Sequence, residues 1–211
     1  MITLSFTSIS GLHEHPHYWL NKMMGAKMPE WDFFKRGKEC HRIMQDHVSG
    51  RVPNKGLEWF QYKFPLVEEV DYDPKMNFRI KINEKYEVQG FLDGLNEEEL
   101  SMLEGKFGEI WSLGKYQRSF QRKIYSLLRP DIKVQRILTG VSFPEQWPFK
   151  QPKTYTIEPT QADRDEAMAY ILEGIRILES GEFYGDLVKS DDGEYHCNDP
   201  RCLYGKNCLF K

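Results

Sequence analysis

A chain of 211 residues is long enough for one well-buried core and too short for two ordinary domains to be expected. With 40% hydrophobic and 29% charged residues it belongs with soluble globular proteins and not with disordered ones, and a net charge of -3 does not mark a nucleic-acid binder by composition alone. No stretch approaches the roughly 18 to 20 uninterrupted apolar residues of a spanning helix, and the N-terminus lacks a basic region followed by an apolar run, so no membrane association and a cytoplasmic location are expected.

Residues 1 to 7 read as a short strand-like lead. Thr7 or Ser8 can cap a helix running to about Met24 and ended by Gly25, with a kink or break at Pro16. His13, His15 and His17 alternate within it, and residues two apart on a helix point about 200° away from each other, so the three cannot chelate one ion together. After Met28-Pro29-Glu30-Trp31, a second helix is predicted over 32–48, placing Gly37 and His41 on one face.

The aromatic run from Glu58 to Val70 reads as a strand with a bulge or edge at Pro65. Strands follow at Asn77 to Asn83, Tyr86 to Leu95 and Leu100 to Phe107, a meander whose last turn carries Glu97, Glu98 and Glu99. Apolar residues recur at three- and four-residue spacing from Lys115 to Leu128, predicting a helix ended by Pro130, and Lys115, Arg118, Arg122 and Lys123 make that region locally basic. A strand at Val134 to Val141, a loop holding Pro144, Pro148 and Pro152, and a short strand at Tyr155 to Ile157 come next. A helix capped by Thr160 runs to Gly181. The order implies an α/β fold of α+β character, a central mixed β-sheet flanked by helices, forming a single domain over 1–211 whose residues 182–211 are a Cys-rich tail.

Chemistry concentrates in Val88 to Phe107. Glu104 and Lys106 share a strand face, and a hairpin pairing brings Asp93 alongside them. Two carboxylates suit a hard cation such as Mg²⁺ or Mn²⁺, and the neighbouring lysine can orient a water or steady charge on a phosphate. A salt-bridged surface hairpin carries the same residues.

Four motifs then stand in order: Gly37-Lys38-Glu39-Cys40-His41, Gly90-Phe91-Leu92-Asp93, Glu104-Gly105-Lys106, and Gln121-Arg122-Lys123-Ile124-Tyr125. On these the chain resembles the RecB-like branch of the PD-(D/E)XK nuclease superfamily, which includes the CRISPR-associated iron-sulfur exonucleases. The resemblance implies a restriction-endonuclease-like core and a metal-dependent DNA exonuclease. His41, Asp93 and Glu104 would ligate Mg²⁺ or Mn²⁺, Lys106 would handle the nucleophilic water, and Gln121 and Tyr125 would support DNA or the site geometry. The substrate would be single-stranded DNA or duplex ends, in recombination, repair, phage replication or CRISPR adaptation, with protein partners from a recombination or CRISPR machinery. Trp31, Tyr116 and Phe120 are candidates for stacking unpaired bases.

Cys197, Cys202 and Cys208 fall within twelve residues of a loop rich in Asn, Pro and Gly, which suggests bound metal, either Zn²⁺ or an iron-sulfur cluster. In the iron-sulfur members a fourth cysteine sits early in the first helix, just before a proline; here the matching position is His15, ahead of Pro16. Cys40 is a competing fourth ligand, and free thiols or a disulfide are the alternatives without metal. The second functional reading is a non-catalytic nuclease-like DNA-binding or assembly module stapled by the Cys-rich tail.

Overall fold

The structure, a computed structural model, describes residues 1–29, 32–67, 76–107, 110–141, 150–181, 188–190, 195–197, 202 and 204–209. Trp31, Pro144, Pro148 and the end of the expected Glu58 to Val70 strand lie outside them. In chain order the elements are β1 (Ile2–Ser5), α1 (Phe6–Glu14), α2 (Pro16–Met23), α3 (Asp32–Val48), β2 (Leu66–Val67), β3 (Asn77–Lys81), β4 (Tyr86–Phe91), β5 (Gly94–Asn96), β6 (Ser101–Phe107), α4 (Leu113–Arg118), α5 (Phe120–Leu128), β7 (Val134–Val141), β8 (Lys150–Ile157), α6 (Gln161–Ser180), β9 (Val188–Lys189) and β10 (Tyr195–His196). No helix among the described residues is long and apolar enough to cross a membrane.

The chain divides into two compact units, one of residues 1–3 and 31–167, the other of residues 4–30 and 168–211. In the first, a mixed five-stranded sheet runs in the order β2-β5-β6-β7-β8, with β6 and β7 parallel and joined through α4 and α5, the remaining pairs antiparallel. Parallel neighbours need such a crossover, which explains why two helices intervene between β6 and β7. A separate three-stranded sheet has the order β1-β4-β3. The expected single strand from Tyr86 to Leu95 is therefore two strands: the chain leaves one sheet after Phe91, turns through Leu92 and Asp93, and enters the other at Gly94.

Alternation along β6 sorts the chemistry. Leu103 joins a core of Cys40, Met44, Val48, Leu57, Phe60, Phe64, Val67 and Leu138, with Phe107 against it, whereas Glu104 and Lys106 point to the opposite face. Cys40 is thus a core residue on α3 and not a ligand for the C-terminal thiols. The aromatic run before β2 is not a strand: Lys55–Leu57 form a 3-10 turn, and Phe60 and Phe64 anchor irregular chain in the core. Burial of large aromatic side chains outweighed their strand preference there.

The Lys115 to Leu128 helix is likewise broken at Ser119, which is extended and ends α4. Beyond it, α5 is fixed by charge as well as packing. Arg122, 3% exposed, donates to Gln135 Oε1 at 3.1 Å and to the Gln117 carbonyl at 3.0 Å, and pairs with both carboxylate oxygens of Asp163. Lys123 pairs with Glu166. Two of the four cations that make this region locally basic are therefore paired with carboxylates of α6. Pro152 is accommodated because β8 is an edge strand, longer than the short strand expected.

In the second unit the first helical stretch is split as Pro16 demands, with Pro16 opening α2 and Ser5, not Thr7 or Ser8, capping α1. His13 is spent on packing: its ring stacks on Tyr170 at 3.9 Å, and Nε2 lies 2.9 Å from the Tyr170 carbonyl. Helix α6 closes at Gly181, whose φ of +77° is the left-handed conformation that ends helices.

Candidate active site and thiol cluster

The split between β4 and β5 builds the first site. Where β5 starts at Gly94, β6 continues past it, so among the described residues the amide of Gly105 has no strand partner on that side. Asp93 supplies one: its Oδ2 accepts from Gly105 N at 2.7 Å. This turns a missing ladder bond into a fixed carboxylate beside Glu104. From α3, His41 Nδ1 reaches Asp93 Oδ1 at 3.2 Å while its ring stands edge-on to Phe107 at 5.1 Å.

Glu104 pairs with Lys106, and the Lys106 ammonium also donates to Gln121 Oε1 at 2.7 Å. Gln121 Nε2 in turn donates to the Tyr125 hydroxyl at 2.9 Å, one helical turn along α5. His41, Asp93, Glu104, Lys106, Gln121 and Tyr125 thus form two hydrogen-bonded chains, brought side by side by the adjacent residues Glu104 and Gly105. A close approach supports this: a Cβ on Gly90 would stand 2.7 Å from Leu128 and 2.8 Å from the Tyr125 ring, so only glycine lets β4 lie against α5 there.

Burial governs the charges. Asp93 and Glu104 are 6% and 4% exposed. Burial pushes the Glu104 carboxyl up to about 7, the neighbouring Asp93 charge adding to the rise and Lys106 opposing it. Burial acts on Asp93 in the same sense, but His41 and the Gly105 amide outweigh it and hold this carboxyl below its ordinary value. Burial would lower His41; the Asp93 charge and hydrogen bond, helped by Glu104, carry it above the usual imidazole value. Among the described residues, Glu104 Oε2 is buried with no hydrogen-bond partner, and so is the hydroxyl of Tyr116, whose titration burial and the Glu104 charge push upward. Tyr116, expected as a base-stacking candidate, is 1% exposed and belongs to the interior.

The second centre lies wholly within residues 4–30 and 168–211. His17, Cys197, Cys202 and Cys208 are all buried, and their ligand atoms lie within 4.8 Å of one another. His17 Nε2 is 3.4 Å from Cys197 Sγ and 3.6 Å from Cys202 Sγ. Asn21, one turn after His17 and fully buried, donates to Cys208 Sγ at 3.4 Å and to the His17 carbonyl at 3.0 Å, and accepts from Leu209 N at 2.8 Å. Tyr18 and Ala26 pack against the cluster that these cysteines form with Tyr204. None of the four cysteines is in a disulfide. Burial raises the Cys202 thiol, so without a cation it packs as a small neutral hydrophobe. This set of one histidine and three cysteines can hold a metal such as zinc or iron in an iron-sulfur centre.

Among the described residues, no other group of three or more His, Cys, Asp or Glu gathers its ligand atoms closely enough to hold an ion. His41 and Asp93 are in direct contact, and Glu104 is paired with Lys106; the three do not close into such a group.

No family model and no curated protein matches the chain. Among solved structures it is similar to SSO0001, at 14% identity and a TM-score of 0.55, covering 84% of this chain and 77% of that one. At that identity the likeness is one of fold. A phage related exonuclease from Haemophilus somnus 129PT aligns over 82% of this chain and 94% of its own at 12% identity, but a TM-score of 0.34 is too loose to carry an argument.

Against the expectation from sequence, the fourth member of the thiol cluster is His17 and not His15. His15 sits in the break between α1 and α2, with φ -146° and ψ 72°, and its ring stacks on Tyr18 at 4.8 Å. Pro16 restarts the helix, so the next residue, His17, is the one turned into the interior. The four-residue spacing that puts His17 and Asn21 on one face of α2 was the available signal. Asn21 itself, and the buried Arg122 to Asp163 pair, had no motif to announce them.

Proposed function

We propose that the first unit hydrolyses DNA phosphodiester bonds as a divalent-cation-dependent exonuclease of the PD-(D/E)XK type, RecB-like branch. The observation that carries this is the pair of buried carboxylates, Asp93 in the turn between β4 and β5 and Glu104 on β6, beside a β6 lysine tethered to α5 through Gln121. Leaving Glu104 Oε2 buried without a partner is costly, and the hard oxygen and imidazole donors of Glu104, Asp93 and His41 fit Mg²⁺ or Mn²⁺. Such a cation, when bound, would neutralise phosphoryl charge and acidify water.

The chain's own residues do the rest. Asp93, held by the Gly105 amide and His41, is a carboxylate that stays ionised and does not swing. Lys106, gripped by Gln121 from the helix side, presents an ammonium next to the carboxylates, where it can stabilise charge growing on non-bridging phosphate oxygens without reorganising. Gln121 and Tyr125 orient that lysine. The ordered motifs from Gly37 to Tyr125 favour DNA as the polymer.

The test is degradation of end-labelled single- and double-stranded DNA with Mn²⁺ or Mg²⁺ by the wild type, Asp93→Asn and Lys106→Ala, each checked by circular dichroism. Wild-type protein should shorten DNA from its ends, and each variant should fall by about 10²-fold or more while remaining folded. Activity equal in all three would remove Asp93 and Lys106 from the reaction. DNA binding without cleavage by the wild type under every cation would instead make the unit a non-catalytic module.

A further inference from the structure

We propose that His17 Nε2 and the Sγ atoms of Cys197, Cys202 and Cys208 hold one tetrahedral divalent ion of the zinc class, with Asn21 as its positioning residue, in place of the iron-sulfur cluster that the family resemblance implies. The inference is independent of the nuclease reading, since every residue in it belongs to the second unit.

Distance decides between the two kinds of centre. In a cubane cluster each protein ligand sits on a different iron, with inorganic sulfide filling the space between, so the ligand atoms stand farther apart than when all four share one ion. A single tetrahedral zinc, with bonds of about 2.3 Å to sulfur and about 2.0–2.1 Å to nitrogen, puts a ligand nitrogen and a ligand sulfur about 3.6 Å from each other. The two separations from His17 Nε2 are 3.4 and 3.6 Å, and the whole set closes within 4.8 Å. Those separations match ligands that share one ion better than ligands spread over a sulfide core. The donors agree, because three thiolates with one imidazole form a complete structural zinc set and leave no open position for chemistry. On binding, the thiols release their protons to solvent and the three thiolates take up the cation charge.

Asn21 acts on this centre through its neighbours. Its amide N–H points at Cys208 Sγ, the hydrogen bond a thiolate ligand accepts, while its carbonyl holds the backbone just after Cys208. It therefore sets the rotamer of one ligand and ties the C-terminal segment to α2, which carries another.

The experiment uses the full chain, purified without oxygen from cells supplied with both iron and zinc. Elemental analysis should find one zinc per chain, with no acid-labile sulfide and no visible colour. Cobalt added to the zinc-free protein should give the intense visible bands of a tetrahedral thiolate site. His17→Ala should abolish that spectrum, His17→Cys should keep it with shifted bands, and His15→Ala should leave it unchanged. Asn21→Ala should weaken metal affinity by roughly 10- to 100-fold, read by competition with a coloured chelator. Brown protein with several irons and sulfide, protein with no metal, or loss of the cobalt spectrum in His15→Ala but not in His17→Ala would each overturn the assignment. If His17→Ala fails to fold, His17→Cys and Asn21→Ala still decide it.

Discussion

The two centres of this chain solve the same problem, the burial of several acidic groups, in opposite ways. In the carboxylate site each acid has a cation from the protein itself: His41 for Asp93 and Lys106 for Glu104. In the thiol site the acids face one imidazole and a carboxamide, and burial keeps the Cys202 thiol protonated. Hard acids that are ionised near neutrality must be compensated at once if the protein is to fold, whereas thiols can wait as neutral groups until a metal displaces their protons. A self-compensated site can lose an ion and remain folded; a site whose ligands become anions only with the ion is coupled to it.

The sharpest way to break this comparison is chelation. Stripping metal from the second unit should remove a structural contribution that, in small zinc domains, runs to about 10–16 kcal/mol, enough to unfold the segment it ties together. We expect a strong chelator to expose residues 168–211 to limited proteolysis, with the first unit still protected. A mild chelator of Mg²⁺ and Mn²⁺ should abolish DNA degradation and change no proteolytic fragment. Equal protection of the second unit with and without its ion would end the distinction.

A smaller effect tests how the carboxylate site is held together. Gly105 donates its amide to Asp93, and a Cβ there would stand 2.7 Å from Phe107 and 2.9 Å from Met44. The sulfur of Met44 can yield, but the partly buried Phe107 ring packs against the core and bears on His41. Gly105→Ala should cost about 1–3 kcal/mol, the range for overpacking. It should also depress nuclease activity more than that loss of stability explains, because β6 must shift under Asp93 and Glu104. Thermal melting together with activity measured well below the transition separates the two, and a variant as active as wild type would show that the Asp93 bond tolerates the shift.

Much of the first site could be read in the sequence because its information is local. Glu104 and Lys106 follow the two-residue period of strands, Gln121 and Tyr125 the four-residue spacing of a helix, and β6, β7, α3 and α6 carry strong periodicity or caps. Their junctions were harder to read. Nothing in Gly90-Phe91-Leu92-Asp93 says that the strand must pass from one sheet to another, since that depends on which edges are open once the sheets exist. The aromatic run from Trp59 to Phe64 has strand composition but packs as irregular chain, a case of core burial overriding propensity. His15 and His17 differ by two residues, and only the restart of the helix at Pro16 selects between them. Arg122 and Asp163 lie 41 residues apart, and nothing in the sequence pairs them.

That last pair supplies the mildest test, and it concerns charge in the first unit away from the carboxylate site. Burial would raise the Asp163 carboxyl, but the hydrogen bonds from Arg122 and from Thr160 at the start of α6 outweigh it and hold the group below its ordinary value. A carboxylate whose value is depressed on folding stabilises the protein fully above the unfolded value of about 3.9, and the gain disappears as pH falls through the depressed value. Asp163→Asn should therefore lower the melting temperature by a few degrees near neutrality, where it leaves the buried Arg122 guanidinium short of an anion. The difference from wild type should narrow steadily as pH is lowered from about 5 toward 2, because the wild-type carboxylate is then losing its charge too. Melting curves of both proteins across that range measure it. A constant gap would mean that Asp163 contributes through its cap hydrogen bonds alone, and Arg122 would then owe its place to Gln135 and the Gln117 carbonyl.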